Sequence, residues 1–214
     1  MRAFAEVAPL VLINRDLAGL PRILIDASDG IAQAMGHLTR LGHRRIAYVG
    51  GPELSWSSEQ RSAAALKEAR QHGAEMILLP AGEASFDAGR AMAAAILQSR
   101  TTAAIAFDDT LAQSILTGLA DCGRVVPRDF SLVGCDDVLG AVTYPVLTSI
   151  SNRAAEAGQA AMRLLLARLA DPAGTEVPQV LTTELVLRQT IAKPMGSTRP
   201  CLTPRWRQWR AVQH

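Results

Sequence analysis

The sequence predicts an α/β protein built on doubly wound parallel sheets, and three observations carry that expectation. Short β-type runs alternate with helix-length segments between about residues 9 and 188, the rhythm that crossover helices impose on parallel strands. Two of the runs, AAIAFDDT and SLVGCDDV, end in aspartate pairs, Asp108 with Asp109 and Asp136 with Asp137. Sheets of this kind bind ligands beyond the carboxyl ends of their strands, so the pairs nominate a site. Hydrophobic residues fill 49% of 214 positions, enough to build a sizeable core at this length.

The elements follow in order. PLVLIN and RILID are short strands, and Asp26 is placed to N-cap a helix through Leu41 that Gly42 stops. RRIAYVGG is a strand running into glycines. Ser57 or Ser58 can cap the next helix, which ends at His72 and Gly73, and EMILLP is the strand after it. Ser85 starts an alanine-rich helix to about Ser99. AAIAF, a helix over 110–122 and FSLVGC complete the regular series. After TYPVLTSIS the rhythm changes. Residues 152–170 read as one long amphipathic helix, DPAGTEVP breaks the chain, and QVLTTELVLR is the last strand. That change points to a second packing unit. From Lys193 onward the chain has no periodicity, three prolines and two tryptophans, and residues 193–214 are expected to form a disordered basic tail. Contact of that tail with membrane or nucleic acid is the sharper alternative.

Composition excludes several classes. Net charge is +2, and Arg199, Arg205, Arg207 and Arg210 lie in the last stretch with no acidic residue beside them, so the body gives no case for nucleic-acid binding. Cys122, Cys135 and Cys201 are scattered and odd in number, which argues against a disulfide framework or structural zinc and fits a reducing cytoplasm. The start, MRAFAEVAPLVLINRD, lacks the features of a signal peptide, and no apolar run reaches the length of a membrane span. A soluble cytoplasmic protein is expected, unless an upstream leader has been lost.

In a doubly wound sheet, Arg61 in the first turn of the helix after RRIAYVGG would converge with Asp108 and Asp136 at one rim. One guanidinium and two carboxylates suit a polyhydroxylated ligand such as a sugar, and Arg61 could instead hold a ligand carboxylate or phosphate. A surface salt bridge is the plain alternative for Arg61. Asp109 is expected to cap the helix that follows it, and Asp137 to bond its own loop backbone. Trp56 could stack on a sugar face or cover a core edge. Aspartates at strand ends also occur where Mg²⁺ assists phosphoryl transfer, but no nucleophile motif accompanies them. Elbow, phosphate-loop, zinc-helix and dinucleotide motifs are absent from the sequence. The four histidines, His37, His43, His72 and His214, suggest dipole and capping roles rather than metal ligation. No catalytic residue, metal or cofactor is assigned.

HLTRLGHRRIAYVGGP, Arg61 in SSEQRSAAALKEA, AAIAFDDTLAQSILTGLADCGRVVPRDFSLVGCDDV, YPVLTSI and TTELVLRQT together resemble the effector-binding core of the lactose-repressor/galactose-repressor (LacI/GalR) family of bacterial transcription regulators. The resemblance implies a type I periplasmic-binding-protein-like fold: two subdomains joined by three crossovers, with the effector in the cleft. It implies effector contacts for Arg61 and for Asp136 in GCDD, where Cys135 replaces the usual aromatic. Asp108 falls where the family commonly has asparagine, and Phe107 where it has alanine. Asn14 lies where the family often has a cleft-facing aspartate, and Ala84 where some members place an aromatic.

The resemblance further implies residues 1–43 with 152–174 as an incomplete N-terminal subdomain with exposed apolar surface, and 44–151 with 175–192 as the C-terminal one. No helix-turn-helix headpiece precedes these segments, so DNA binding is expected only of an intact full-length homologue. A homodimer through the C-terminal subdomain remains open. The function implied is sensing of a sugar or sugar acid without catalysis. A solute-binding protein of the same fold, and an Asp-dependent Mg²⁺ phosphatase, are the alternatives.

Overall fold

The computed structural model describes residues 8–82, 85–171 and 178–195. The elements run β1 (Leu12–Ile13), β2 (Arg22–Asp26), α1 (Ser28–Leu41), β3 (Arg45–Gly50), α2 (Trp56–Gln71), β4 (Glu75–Pro80), α3 (Phe86–Gln98) and β5 (Ala103–Ala106). They continue with α4 (Asp109–Asp121), β6 (Ser131–Asp136), a 3₁₀ turn (Gly140–Val142), β7 (Thr148–Ser151), α5 (Ala154–Ala170), β8 (Gln179–Thr182) and β9 (Glu184–Val186). Of the earlier expectations, Ala84 and the tail from 196 on lie outside the described residues.

Two sheets result. The larger has the order β4-β3-β5-β6-β7-β9 and is parallel except for β9, which runs against β7. The chain winds outward to β4 and then back to β5, so the order reverses between β3 and β5; such a switch opens a crevice at the carboxyl ends. The smaller sheet is parallel, in the order β1-β2-β8.

Alternation along β3 shows why the large sheet is covered twice. Ile46 and Tyr48 face α1 and α2, packing with Ile31, Met35, Leu38 and Ala65. Ala47 and Val49 face α3 and α4, packing with Ile96, Ile115, Leu119 and Phe130. A strand buried on both faces must be apolar at successive positions, and RIAYVG is. In α1 the buried Ile31, Ala34, Met35 and Leu38 follow the spacing of a single helical face. Gly118 lets α4 approach α3 closely, because a Cβ there would meet the Arg90 carbonyl and Ala93.

The small sheet has one cover. Ile23 and Ile25 pack with Ala157, Ala160, Ala161 and Leu164 of α5, while Ile13, Met162, Leu166, Leu169 and Val180 are exposed. Ile13, Met162, Leu166 and Leu169 lie in the segments where apolar exposure was expected, and Val180 lies outside them.

Several expectations about segment membership and capping need correction. Helix α1, expected with the first subdomain, packs on the large sheet, because its buried stripe matches the face formed by Ile46, Tyr48 and Ile105. The segment 175–192, expected to lie wholly in the second subdomain, is divided: β8 pairs with β2 and β9 with β7. Only Thr183 separates the two strands. Its buried hydroxyl accepts from the Gly30 amide at 3.1 Å and donates to the Asp26 carbonyl at 3.1 Å, joining the first and third passages between sheets.

The N-cap of α1 is Ala27, and Asp26 accepts from Ser28 N at 2.9 Å one step outside the helix. Ser55, not Ser57 or Ser58, caps α2 by accepting from Ser58 N. Gly42 and Ser85 terminate α1 and cap α3 as read. His43, read as a helix-end residue, is buried and bridges Thr102 Oγ1 at 2.7 Å and the Ala192 carbonyl at 2.9 Å. Cys135 is free and buried.

Candidate functional site

The site grows from the carboxyl ends of β3, β5, β6 and β7. Gly50 ends β3, Ser55 caps α2, and Arg61 follows in the second turn of that helix rather than the first. Its side chain is 3% exposed and reaches Asp136 Oδ1 at 2.7 Å. A second contact runs from the same nitrogen to Asn152 Oδ1 at 3.5 Å, and the other amino group donates to the Phe107 carbonyl. The Phe107 ring lies over the guanidinium, 4.9 Å from carbon to centroid, within cation–π range.

Asp136 closes β6 in the left-handed region at φ +91°. An aspartate in this region carries strain that surrounding bonds must hold. Two do: Arg61 and the Asn152 side-chain amide both donate to Asp136 Oδ1. The Asp136 side chain is still 30% exposed. Asn152, which the sequence reading missed, is buried just beyond β7 in the passage to α5. Its signal was a polar residue at a strand end, the same criterion that singled out the aspartates.

The aspartate pairs divide the structural roles differently from expectation. Asp108, expected at the ligand, is the N-cap of α4, with Oδ1 accepting from Leu111 N at 2.6 Å. Burial pushes its carboxyl above the ordinary range against the pull of that amide, and the Asp136 charge adds to the upward shift. Asp109, expected as the cap, is the first helical residue, so its side chain points back across the sheet. It accepts from Leu139 N at 3.0 Å, Gly140 N at 3.1 Å and Ser149 Oγ at 2.5 Å. Burial likewise raises its pKa, the Ser149 bond opposing.

Asp137, expected to bond its own loop, instead pairs with Arg188 at 2.7 Å, because β9 brings that arginine alongside. Together Asp109 and Arg188 hold the loop that carries Asp136. The structure thus brings Arg61 and Asp136 into direct contact and Asp108 within electrostatic reach of both. It does not join Asn14 or Trp56 to that group by a hydrogen bond. Asn14 follows β1 at φ +53°, its buried Oδ1 unpartnered, and Trp56 opens α2 half-buried.

Beneath the ion pair lie Tyr48 and Cys135. The Tyr48 hydroxyl is buried without a hydrogen-bond partner. Burial pushes the Cys135 thiol up to about 12, the Arg61 charge opposing, so it is no nucleophile at neutral pH. A cavity of about 410 Å³ beside Asp136 is lined by Asp137, Ser151, Arg153, Glu156 and Glu184. Another, of about 650 Å³, lies away from this chemistry between Leu116, Val125, Tyr144 and Pro145. Among the described residues, no group of three or more His, Cys, Asp or Glu could hold a metal ion, and no helix is long and apolar enough to cross a membrane.

A switch-point crevice with an arginine–aspartate pair, flanked by two sheets that exchange strands, defines a two-lobed ligand-binding domain. Residues 35–191 match the family model described as the periplasmic binding protein-like domain, and the chain belongs to that family.

Within it, the chain is an effector-binding core of the LacI/GalR regulator type. It is 29% identical over 207 residues to the HTH-type transcriptional regulator MalR of Streptomyces coelicolor, covering 91% of this chain and 59% of the relative. To the HTH-type transcriptional repressor PurR of Mannheimia succiniciproducens it is 30% identical, covering 80% and 53%. A LacI transcriptional regulator from Rhodococcus superposes with TM-score 0.81 at 32% identity, covering 90% of this chain and 73% of the other. A LacI-family regulator from Enterococcus faecium with bound ribose gives 0.81 at 27%, covering 90% and 74%. The chain therefore spans between about half and three-fifths of the length of these curated relatives. The relatives are transcriptional regulators, a class that is not enzymatic.

Proposed function

We propose that the chain senses a small polyhydroxylated metabolite at the Arg61–Asp136–Asn152 constellation, without catalysis and in the cytoplasm. The observation that carries this reading is the position of Asn152. It bonds Asp136 from within the passage that joins the two sheets, so a ligand on Asp136 acts on the hinge as well as on the rim. In this reading Asp136 and Asp108 accept ligand hydroxyls, Arg61 orients Asp136, and Asn14 and Trp56 line the opposing lobe and the rim. The ribose in the Enterococcus faecium regulator supports the ligand class. Ligand binding would bias the relative pose of the lobes through its differential affinity for the two arrangements; DNA reading belongs to a longer homologue that carries a headpiece.

Calorimetric titration with ribose and other pentoses and hexoses tests the reading. Saturable heat is expected, and Asp136→Asn, nearly isosteric, should abolish it while the melting transition persists. Unchanged isotherms for Asp136→Asn would remove Asp136 from the site. The domain division stands with this reading: a small lobe of β1, β2, α5 and β8, and a large lobe of everything between α1 and β9 except α5 and β8.

The reading extends to a second copy of the chain. Val125 and Tyr144, exposed at 49% and 95%, line the larger cavity, which suits a homodimer through the large lobe. Sedimentation should show a dimer that Tyr144→Glu converts to monomer; monomer in both would sink it.

A further inference from the structure

The donors of the site point inward and its acceptors outward. Arg61 is 3% exposed, engaged with Asp136, Asn152 and Phe107, and roofed by the Phe107 ring. The Asn152 amide is directed at Asp136. On the other side of the ledger, Asp136 uses Oδ1 for both of its bonds, and Asp108 uses Oδ1 for its cap. Asp136 thus leaves its second carboxylate oxygen available, and Asp108, which also accepts from the Thr110 amide, keeps spare lone pairs on its carboxylate. Glu184 lines the adjoining cavity, where Arg153 already pairs with Glu156 at 2.7 Å and Asp137 with Arg188. Among the described residues Asp108 and Glu184 have no ion-pair partner. A second observation lies below: the Tyr48 hydroxyl, 1% exposed, has no partner and sits within electrostatic reach of Arg61, Asp136 and Asp108.

Among the described residues, a ligand entering this rim meets acceptors with a net negative field, Arg61, Arg153 and Arg188 each being paired with a carboxylate. An anion placed there would face like charge without a countercharge, whereas a protonated amine flanked by hydroxyls would make charge-assisted bonds to both carboxylates.

We propose that the effector is a donor-rich cation, an amine-bearing polyol of the amino-sugar kind, and not the sugar acid that an arginine alone suggests. This rests on the sensing function proposed above. Asp108 is the residue that sets the preference, with Asp136 as the shared anchor. The Phe107 ring is a fixed roof that keeps Arg61 from turning outward to an anionic ligand.

The test is calorimetric titration of the full chain with three matched panels: amino sugars such as glucosamine, their parent sugars, and the corresponding aldonic acids. The best amino sugar is expected to bind about tenfold or more tighter than its parent, the difference one charge-assisted bond supplies, and the acids not at all. Asp108→Asn keeps a capping side chain, and it should narrow the gap to about threefold or less while the melting transition is retained. Parent sugars binding as tightly as amino sugars, or acids binding best, would overturn the charge assignment yet leave sugar sensing intact. A gap that Asp108→Asn leaves unchanged would overturn the role of Asp108. Silence from all three panels would overturn the sensing function, and this inference with it.

Discussion

The two lobes are built from the same materials to very different depth. In the large lobe six strands carry helices on both faces, and residues such as Ile46, Ile105, Leu132 and Phe130 are essentially inaccessible. In the small lobe three strands carry one helix, and Met162, Leu166 and Leu169 of that helix remain exposed. Both lobes have apolar strands, so strand chemistry does not separate them. What differs is how much surface each strand can hide, since burial scales with the layers available. The ionic constellation is anchored in the deep lobe, with its hinge contact at the border of the shallow one.

The comparison breaks first in the large core. Phe130→Ala should cost about 3–5 kcal/mol, read as a lower denaturant midpoint for the whole molecule by near-ultraviolet circular dichroism. A loss under about 1 kcal/mol would mean that Phe130 repacks freely and that this core is looser than its burial implies. Arg61→Ala comes next, at about 3 kcal/mol, because it removes the cation paired with Asp136 and leaves that carboxylate with the Asn152 amide alone. Asp136→Asn should cost less than Arg61→Ala in stability, although both remove ligand binding. Ile23→Ala removes as many atoms as any large-lobe isoleucine substitution. It should nevertheless shift the global midpoint by less than about 1 kcal/mol, because the small sheet opens as its own unit. Hydrogen exchange would then show β2 amides exchanging while β5 amides stay protected; equal protection would refute separate units.

A pH series sharpens the comparison further. Burial holds the His43 pKa below its ordinary 6.5, opposed by the bond to the Ala192 carbonyl. The folded state therefore binds fewer protons than the unfolded one. The contribution of His43 is complete above about 6.5 and is lost as pH falls toward the folded value. His43→Gln should flatten that slope in denaturation curves between pH 7 and 5, and an unaltered slope would assign it to other groups. The smallest effect belongs to the exposed stripe: Leu166→Ser should change stability by less than about 0.5 kcal/mol and reduce self-association in light scattering.

Alternation of strands and helices made the order of elements legible, since period and turn chemistry are local. Arg61 and Asp136 were legible for the same reason: both follow strands that must end at one rim. Sheet membership was not, because it is decided by pairing between distant segments. QVLTTELVLR reads as one strand, yet its two halves join different sheets across Thr183. That Asp108 and not Asp109 caps α4 turns on a single residue of helix phase, which propensity does not resolve. Asn152 carries no motif and becomes meaningful only when β7 is laid beside β6.

Thr183 holds the Gly30 amide and the Asp26 carbonyl with one hydroxyl, and so ties together two of the three strands of chain that pass between the lobes. Three chain passages thereby become two linkages. Any movement between the lobes would then have few degrees of freedom, closer to the swing of a door on its pin than to the drift of beads on a string.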